Sequence, residues 1–186
     1  MQVETLNRTV SPSPQGARYS RPAIILHWLV FLLVALALFA IEIRGPRGSD
    51  TRALWTGIHV WAGCTVLVVT AIRLAWRLAH GVPAPEAEGG TFLVLCARAL
   101  HWLFYLVLIA QPLLGILMTN MAGRPVTLMG TDWSFSLVGE HPDLRPGVKA
   151  AHLFIGNALY YLIGLHALAA LWHQFIRRDG TLRRML

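Results

Sequence analysis

Four long apolar stretches constrain the fold of this chain more than any other feature of its sequence. They cover residues 23–43, 54–76, 92–118 and 148–176. Each is close to or longer than the ~20 residues that a helix needs to cross ~30 Å of hydrocarbon. Only 13% of the residues are charged, against about 25% in a typical soluble domain. The sequence therefore predicts an all-α integral membrane four-helix bundle and disfavours a soluble enzyme, a β-barrel or a disordered protein.

The distribution of positive charge predicts the orientation of the bundle. The formal net charge is +7, but the basic residues flank the spans and form no separate domain, which argues against a nucleic-acid partner. Ten arginines fall on the side of the N-terminus and six Lys or Arg residues on the other. Since cytoplasmic loops carry the excess of Lys and Arg, we expect both termini to be cytoplasmic.

The chain divides into a short tail and one membrane domain. Residues 1–21 are mostly polar and contain prolines, a composition that predicts a disordered cytoplasmic tail. Residues 22–186 contain all four spans and are expected to form a single domain. The connections are expected at 44–53, 77–91 and 119–147.

Histidines within the spans carry the chemistry of this sequence. Six of the eight lie in or near a span, and an ionisable residue at membrane depth indicates function. His152 and His166 are 14 residues apart, which places both on one helix face, about 21 Å apart along its axis. At matching heights on other helices lie His59, near the outer end of span 2, and His27, near the inner end of span 1.

Two facing imidazoles across a bundle core are axial ligands of a b-type haem. The pairs His59–His152 and His27–His166 therefore predict two non-covalent, bis-histidine haem b groups, one outer and one inner. For any single histidine the alternative is a hydrogen bond to a neighbouring helix. Gly63 and Gly156 each follow a predicted ligand by one turn and are expected to leave room for the flat porphyrin, unless they serve ordinary small-residue packing.

Three further side chains are candidates for contacts to haem propionates or a quinone: Arg73, Arg98 and His101. Arg73 follows an outer ligand by 14 residues and so lies at the inner height, although it could instead extend to the headgroups. His101 has two open alternatives. It replaces one of the inner ligands, or it hydrogen-bonds a propionate or a quinone carbonyl.

Several short segments resemble the bacterial cytochrome b561 family, and the resemblance runs from about Tyr19 to the C-terminus. These segments are Tyr19-Ser20-Arg21, Leu26-His27-Trp28-Leu29, Ile58-His59-Val60, Ala110-Gln111-Pro112-Leu113-Leu114-Gly115, His152 and Gly164-Leu165-His166-Ala167. The resemblance implies a multi-pass protein of the bacterial inner membrane, surrounded by lipid. It also implies axial ligands at His27, His59, His152 and His166.

The resemblance leaves two functional hypotheses. The chain most resembles the small stand-alone dihaem members of the family, one of which oxidises superoxide and reduces ubiquinone. In that case no catalytic residues beyond the haem groups are expected, and six outer cations are candidates for steering superoxide inward. They are Arg44, Arg47, Arg52, Arg124, Arg145 and Lys149, although five acidic residues on the same side nearly cancel their charge. The family's core is also similar to the cytochrome b subunits of membrane formate dehydrogenases and nickel–iron hydrogenases. The alternative is therefore an electron relay for a partner redox protein.

Overall fold

The computed structural model describes residues 18–83 and 90–186. Most of the predicted tail, residues 1–17, lies outside the described residues. Four long helices dominate: α1 (Arg21–Glu42), α2 (Asp50–His80), α3 (Gly90–Asn120) and α4 (Arg145–Trp172). A π-helical turn, His173–Arg177, continues α4. All four helices are long and apolar enough to cross a membrane, which confirms the prediction of four helical spans.

The helix ends differ from the predicted spans by a few residues, for local reasons. Helix α1 begins with Pro22 in its first turn, where a missing backbone N–H costs nothing. Helix α2 begins before its apolar stretch because the Ser49 hydroxyl accepts a hydrogen bond from the Arg52 amide at 3.2 Å. It also ends later than expected. His80, predicted in a loop, is its last residue and stacks on Trp76 with ring centroids 3.9 Å apart.

Consecutive helices pack side by side, α1 on α2, α2 on α3 and α3 on α4. Their contacts enclose a small aliphatic core formed by Val30, Leu33, Val34, Val66, Val69, Val107, Leu108 and Leu159. Large apolar side chains such as Leu32, Phe154 and Tyr161 point outward and are 61%, 74% and 80% exposed. Such a surface fits hydrocarbon better than water.

The two ends of the described chain meet. The Tyr19 amide donates to the Arg184 carbonyl at 3.3 Å, and Trp28 Nε1 donates to the Met185 carbonyl at 2.9 Å. The C-terminal segment therefore lies beside the start of α1, at what we call the terminal end of the bundle. The opposite end, called the loop end, holds the α1–α2 and α3–α4 connections.

The α3–α4 connection folds back on the bundle. It contains a short hairpin of β1 (Val126–Thr127) and β2 (Ser134–Phe135). The buried Asn120 amide holds it by donating to the Arg124 carbonyl at 3.0 Å and accepting from the Leu137 amide at 2.8 Å. Beyond the hairpin's first strand, the Met129 side chain rests against Gly57 of α2. This connection therefore covers α2 close to His59.

Candidate functional site

Two cavities follow one another along the inside of the bundle. The terminal cavity, of about 660 Å³ including its open mouth, is lined by side chains from all four helices, with the polar lining His27, Arg73, His101 and His166. The loop cavity, of about 460 Å³, is also lined by all four helices, with the polar lining His59, Gln111 and His152. The remaining lining of both is almost entirely apolar. Each cavity thus presents histidines in an otherwise apolar surround.

The loop cavity holds a facing pair of imidazoles with the spacing of two ligands on one metal. The ring centroids of His59 and His152 lie 6.2 Å apart. Two metal–nitrogen bonds of about 2.0 Å, with about 1.1 Å from each nitrogen to its ring centre, add up to about 6.2 Å. The centroid separation therefore equals the one expected for two imidazoles that share a metal ion between them.

Hydrogen bonds orient both rings of this pair. His59 Nδ1 lies 2.8 Å from the Ala37 carbonyl oxygen of α1, and His152 Nδ1 lies 3.0 Å from the Gln111 carbonyl oxygen of α3. Because a carbonyl can only accept, each Nδ1 carries the proton and each Nε2 keeps its lone pair. Metal-binding histidines are held in this way by a second hydrogen bond.

Two residues of α3 that sequence reasoning did not assign to the site support His152. The Gln111 side-chain Nε2 donates to the His152 carbonyl at 2.9 Å, so the two residues are linked reciprocally. A Cβ atom at Gly115 would lie 3.2 Å from His152 Cε1, so this glycine provides space for the ring. In the sequence, the signal for this support was Gln111, a polar amide in the middle of an apolar span.

The two glycines predicted to make room for porphyrin differ in their surroundings. Gly63 lines the loop cavity, and a Cβ there would meet nothing within 4 Å. The expectation for Gly156 is wrong. A Cβ at Gly156 would lie 2.9 Å from Gln111 Nε2, so this glycine makes room for the amide.

The terminal cavity contains a second pair with the same separation. The ring centroids of His27 and His166 also lie 6.2 Å apart. His27 Nδ1 is buried and has no hydrogen-bond partner among the described residues. His101 lies close by, with its ring 5.9 Å from His166 and its Nδ1 facing the Ala97 carbonyl. The structure therefore places two imidazoles beside His166.

Of the other candidates near this cavity, the structure brings in Arg73 and leaves out Arg98. The Arg73 guanidinium lies 5.7 Å from the Tyr105 ring centre, and within residues 18–83 and 90–186 no carboxylate lies at salt-bridge distance from it. An acidic group of a ligand would supply the missing counter-charge. Arg77 packs over Trp102 and Tyr105, at 5.6 and 5.7 Å. Arg98 is exposed and does not line the cavity.

The six cations proposed to steer superoxide are all placed at the loop end, but none lines the loop cavity. Two are held by backbone carbonyls: Arg52 Nη1 donates to Gly45 at 2.9 Å, and Arg145 Nε donates to Met118 at 3.3 Å. The other four are half-buried or exposed: Arg44, Arg47, Arg124 and Lys149. This arrangement is a charged rim around one end of the bundle.

At the terminal end a polar network ties the C-terminal segment to α4. His173 lies at hydrogen-bond distance from the Asp179 carboxylate, whose other oxygen accepts from the Thr181 amide and hydroxyl. Burial raises the pKa of Asp179, but the hydrogen bonds from Thr181 and His173 outweigh it and bring the pKa below its ordinary value. Asp179 is therefore a charged anchor for the segment that reaches Trp28.

Paired imidazoles inside a bundle of helices long enough to span a membrane are typical of one class of protein. This class is the membrane b-type cytochromes, which transfer electrons. The sequence model of the prokaryotic cytochrome b561 family matches residues 18–186, and the chain belongs to that family. A protein of Yersinia pestis named probable superoxide oxidase CybB is 35% identical over 175 residues, covering 91% of this chain and 96% of that protein. Cytochrome b561 homolog 1 of Escherichia coli K12 is 33% identical over 171 residues, covering 91% and 97%. Cytochrome b562 of Cereibacter sphaeroides is 29% identical over 178 residues, covering 92% and 97%.

Proposed function

We propose that this protein is a dihaem cytochrome that oxidises superoxide and reduces ubiquinone. The balanced reaction is 2 O₂•⁻ + ubiquinone + 2 H⁺ → 2 O₂ + ubiquinol. The observation that carries the proposal is the presence of two histidine pairs, one in each cavity, with the same 6.2 Å separation. The name of the Yersinia pestis relative, probable superoxide oxidase, supports the choice of donor.

The four histidines are proposed to ligate two haem b groups. His59 and His152 hold the haem of the loop cavity, and His27 and His166 hold that of the terminal cavity. A haem held by these residues would supply a one-electron redox couple. His27 is preferred to His101 as the ligand, because the His27–His166 separation matches that of the other pair.

Arg73 and His101 are proposed to bind the oxygens of a propionate or of the quinone. Both line the terminal cavity, and Arg73 lacks a carboxylate partner in the described ranges. Reduction of a quinone builds negative charge on its oxygens, and donors already in place stabilise that charge. Arg98, an expected third member, stays outside the cavity and has no part in this proposal.

The rim of cations at the loop end is proposed to attract superoxide. With both termini cytoplasmic in a bacterial inner membrane, the loop end faces the periplasm. Arg44, Arg47 and Arg124 then face an anion arriving from water, and a local positive field raises the rate of encounter. Salt weakens such a field because the screening length is about 8 Å at physiological ionic strength.

A relay for a partner redox protein is the second candidate, and one observation favours it. The α3–α4 connection exposes Trp133, Leu137 and Leu144, at 61%, 56% and 60%. Exposed apolar side chains on a connection near the loop cavity offer a surface on which a partner can dock. In this reading the electrons come from the docked protein, and the rim does not accelerate reaction with superoxide.

Stopped-flow mixing with superoxide, followed through haem absorbance, separates these proposals. Wild-type protein should be reduced rapidly, more slowly as salt rises, and reoxidised by added ubiquinone. Replacing Arg44, Arg47 and Arg124 with Gln should slow reduction and leave haem content unchanged. The matched control replaces three arginines of the terminal side, Arg98, Arg178 and Arg183, with Gln. Equal, salt-independent rates in all three proteins would remove the steering claim and favour the relay.

A further inference from the structure

The two cavities share part of their lining. Three side chains border both of them: Val34 of α1, Leu108 of α3 and Leu159 of α4. We call these three residues the septum. They are 8%, 7% and 4% exposed and belong to the aliphatic core. On the α2 side, the buried Val66 lines the loop cavity at the same core.

The septum lies midway between the two histidine pairs. Leu159 is seven residues from each of the two histidines of α4, which is about 10 Å along the helix in either direction. Val34 and Leu108 lie seven residues after His27 and His101. The histidines of both cavities therefore lie about two turns from this level, and the nearest polar side chains of the lining are Gln111 and Tyr105, each three residues from Leu108 on α3.

An aliphatic septum treats electrons and protons differently. A proton moves along a chain of hydrogen-bonding groups or water, and an internal water needs two to four polar partners. None of the three septum side chains offers one, and an unpaired polar group among them is costly. An electron tunnels between nearby redox groups and needs no hydrogen-bonded chain. We propose that the septum lets electrons pass between the cavities while keeping the interior of the bundle closed to protons.

The functional consequence rests on the proposed superoxide:quinone reaction. Superoxide oxidation releases one electron and no proton, whereas each quinone takes up two electrons and two protons. With a proton-tight septum, both protons come from the side on which the quinone is reduced. Only negative charge then crosses between the cavities.

Passive proton leak tests the septum without any redox reaction. Full-length protein is placed in liposomes containing a pH-sensitive dye, with potassium and valinomycin to remove the electrical potential, and the outside is acidified. No superoxide or quinone is added. Wild-type vesicles should leak no faster than protein-free vesicles, and Leu108→Asn and Leu159→Asn should each leak several-fold faster. Matched controls Leu106→Asn and Leu168→Asn, on the same two helices but 66% and 65% exposed, should stay tight.

Haem content measured on the same samples separates this inference from the proposed function. Septum variants that keep the wild-type haem content and show no added leak would overturn the inference, as would a leaky wild type. If the Asn variants lose haem or fail to fold, the double variant Val34→Thr/Leu159→Thr decides, since its two hydroxyls supply the polar partners that an internal water needs. Faster leak in that variant supports the septum, and an unchanged leak refutes it. Fewer than two haems in wild type refutes the proposed function instead.

Discussion

Replacing Gly115 with alanine tests whether His152 is positioned by the packing of α3. The added Cβ would lie 3.2 Å from Cε1 and 3.5 Å from Nδ1 of the ring. The ring cannot yield freely, because its Nδ1 is bonded to the Gln111 carbonyl at 3.0 Å. Overpacking of this kind costs typically 1–3 kcal/mol, which is about 5- to 150-fold in an equilibrium constant. The loop-cavity haem should therefore bind weaker by a factor in that range.

The assay is titration of haem into haem-depleted protein, read from the absorbance of each site. Gly164→Ala is the control, because a Cβ there would meet nothing within 4 Å and alanine is favoured in a helix by about 1 kcal/mol. Gly164→Ala should bind both haems as wild type does. The reasoning would be refuted if Gly115→Ala bound the loop-cavity haem normally, or if it weakened the other haem instead.

Three further predictions concern groups around the cavities. Gly156→Ala should push the Gln111 amide off the His152 carbonyl, and loss of one hydrogen bond of about 1 kcal/mol should weaken loop-cavity haem about fivefold in the same titration. Trp28→Phe keeps an aromatic side chain but removes the hydrogen bond to the Met185 carbonyl, so protease cleavage of the C-terminal segment should speed up; an unchanged rate would contradict the contact. The lowered pKa of Asp179 means that its stabilisation is present above the ordinary aspartate value of 3.8 and is lost as pH falls through the lower folded value. Thermal unfolding of wild type should therefore lose more stability in acid than that of Asp179→Asn.

The sequence predicted those features of the fold and site that depend on a single helix. Hydropathy located the spans, because length and apolarity alone decide which segments fit a bilayer. Helical periodicity placed His152 and His166 on one face at two heights, and the structure puts each opposite the expected partner ring. The rise per residue fixes how far apart two residues lie along a helix. The heights of the histidines could therefore be predicted from their spacing in the sequence.

The features of the site that depend on how neighbouring helices face each other could not be predicted from periodicity. Gly156 turned out to face Gln111, because the rotation of α3 about its axis is set by packing across the bundle. Arg98 and His101 were expected to act together, but three residues turn a helix by about 300°, and the remaining offset leaves Arg98 exposed. The positions of Gly115 beside the His152 ring and of Ala37 beside the His59 ring also required the assembled bundle.

Haem stoichiometry in histidine variants tests the central claim most directly. The claim is that the two facing pairs each hold one haem. A pyridine haemochrome assay should find two haems per wild-type chain, and one in each alanine variant of His27, His59, His152 and His166. His80→Ala, outside both cavities, should keep two. One haem per wild-type chain would contradict the claim, and so would loss of a haem in His101→Ala with none lost in His166→Ala.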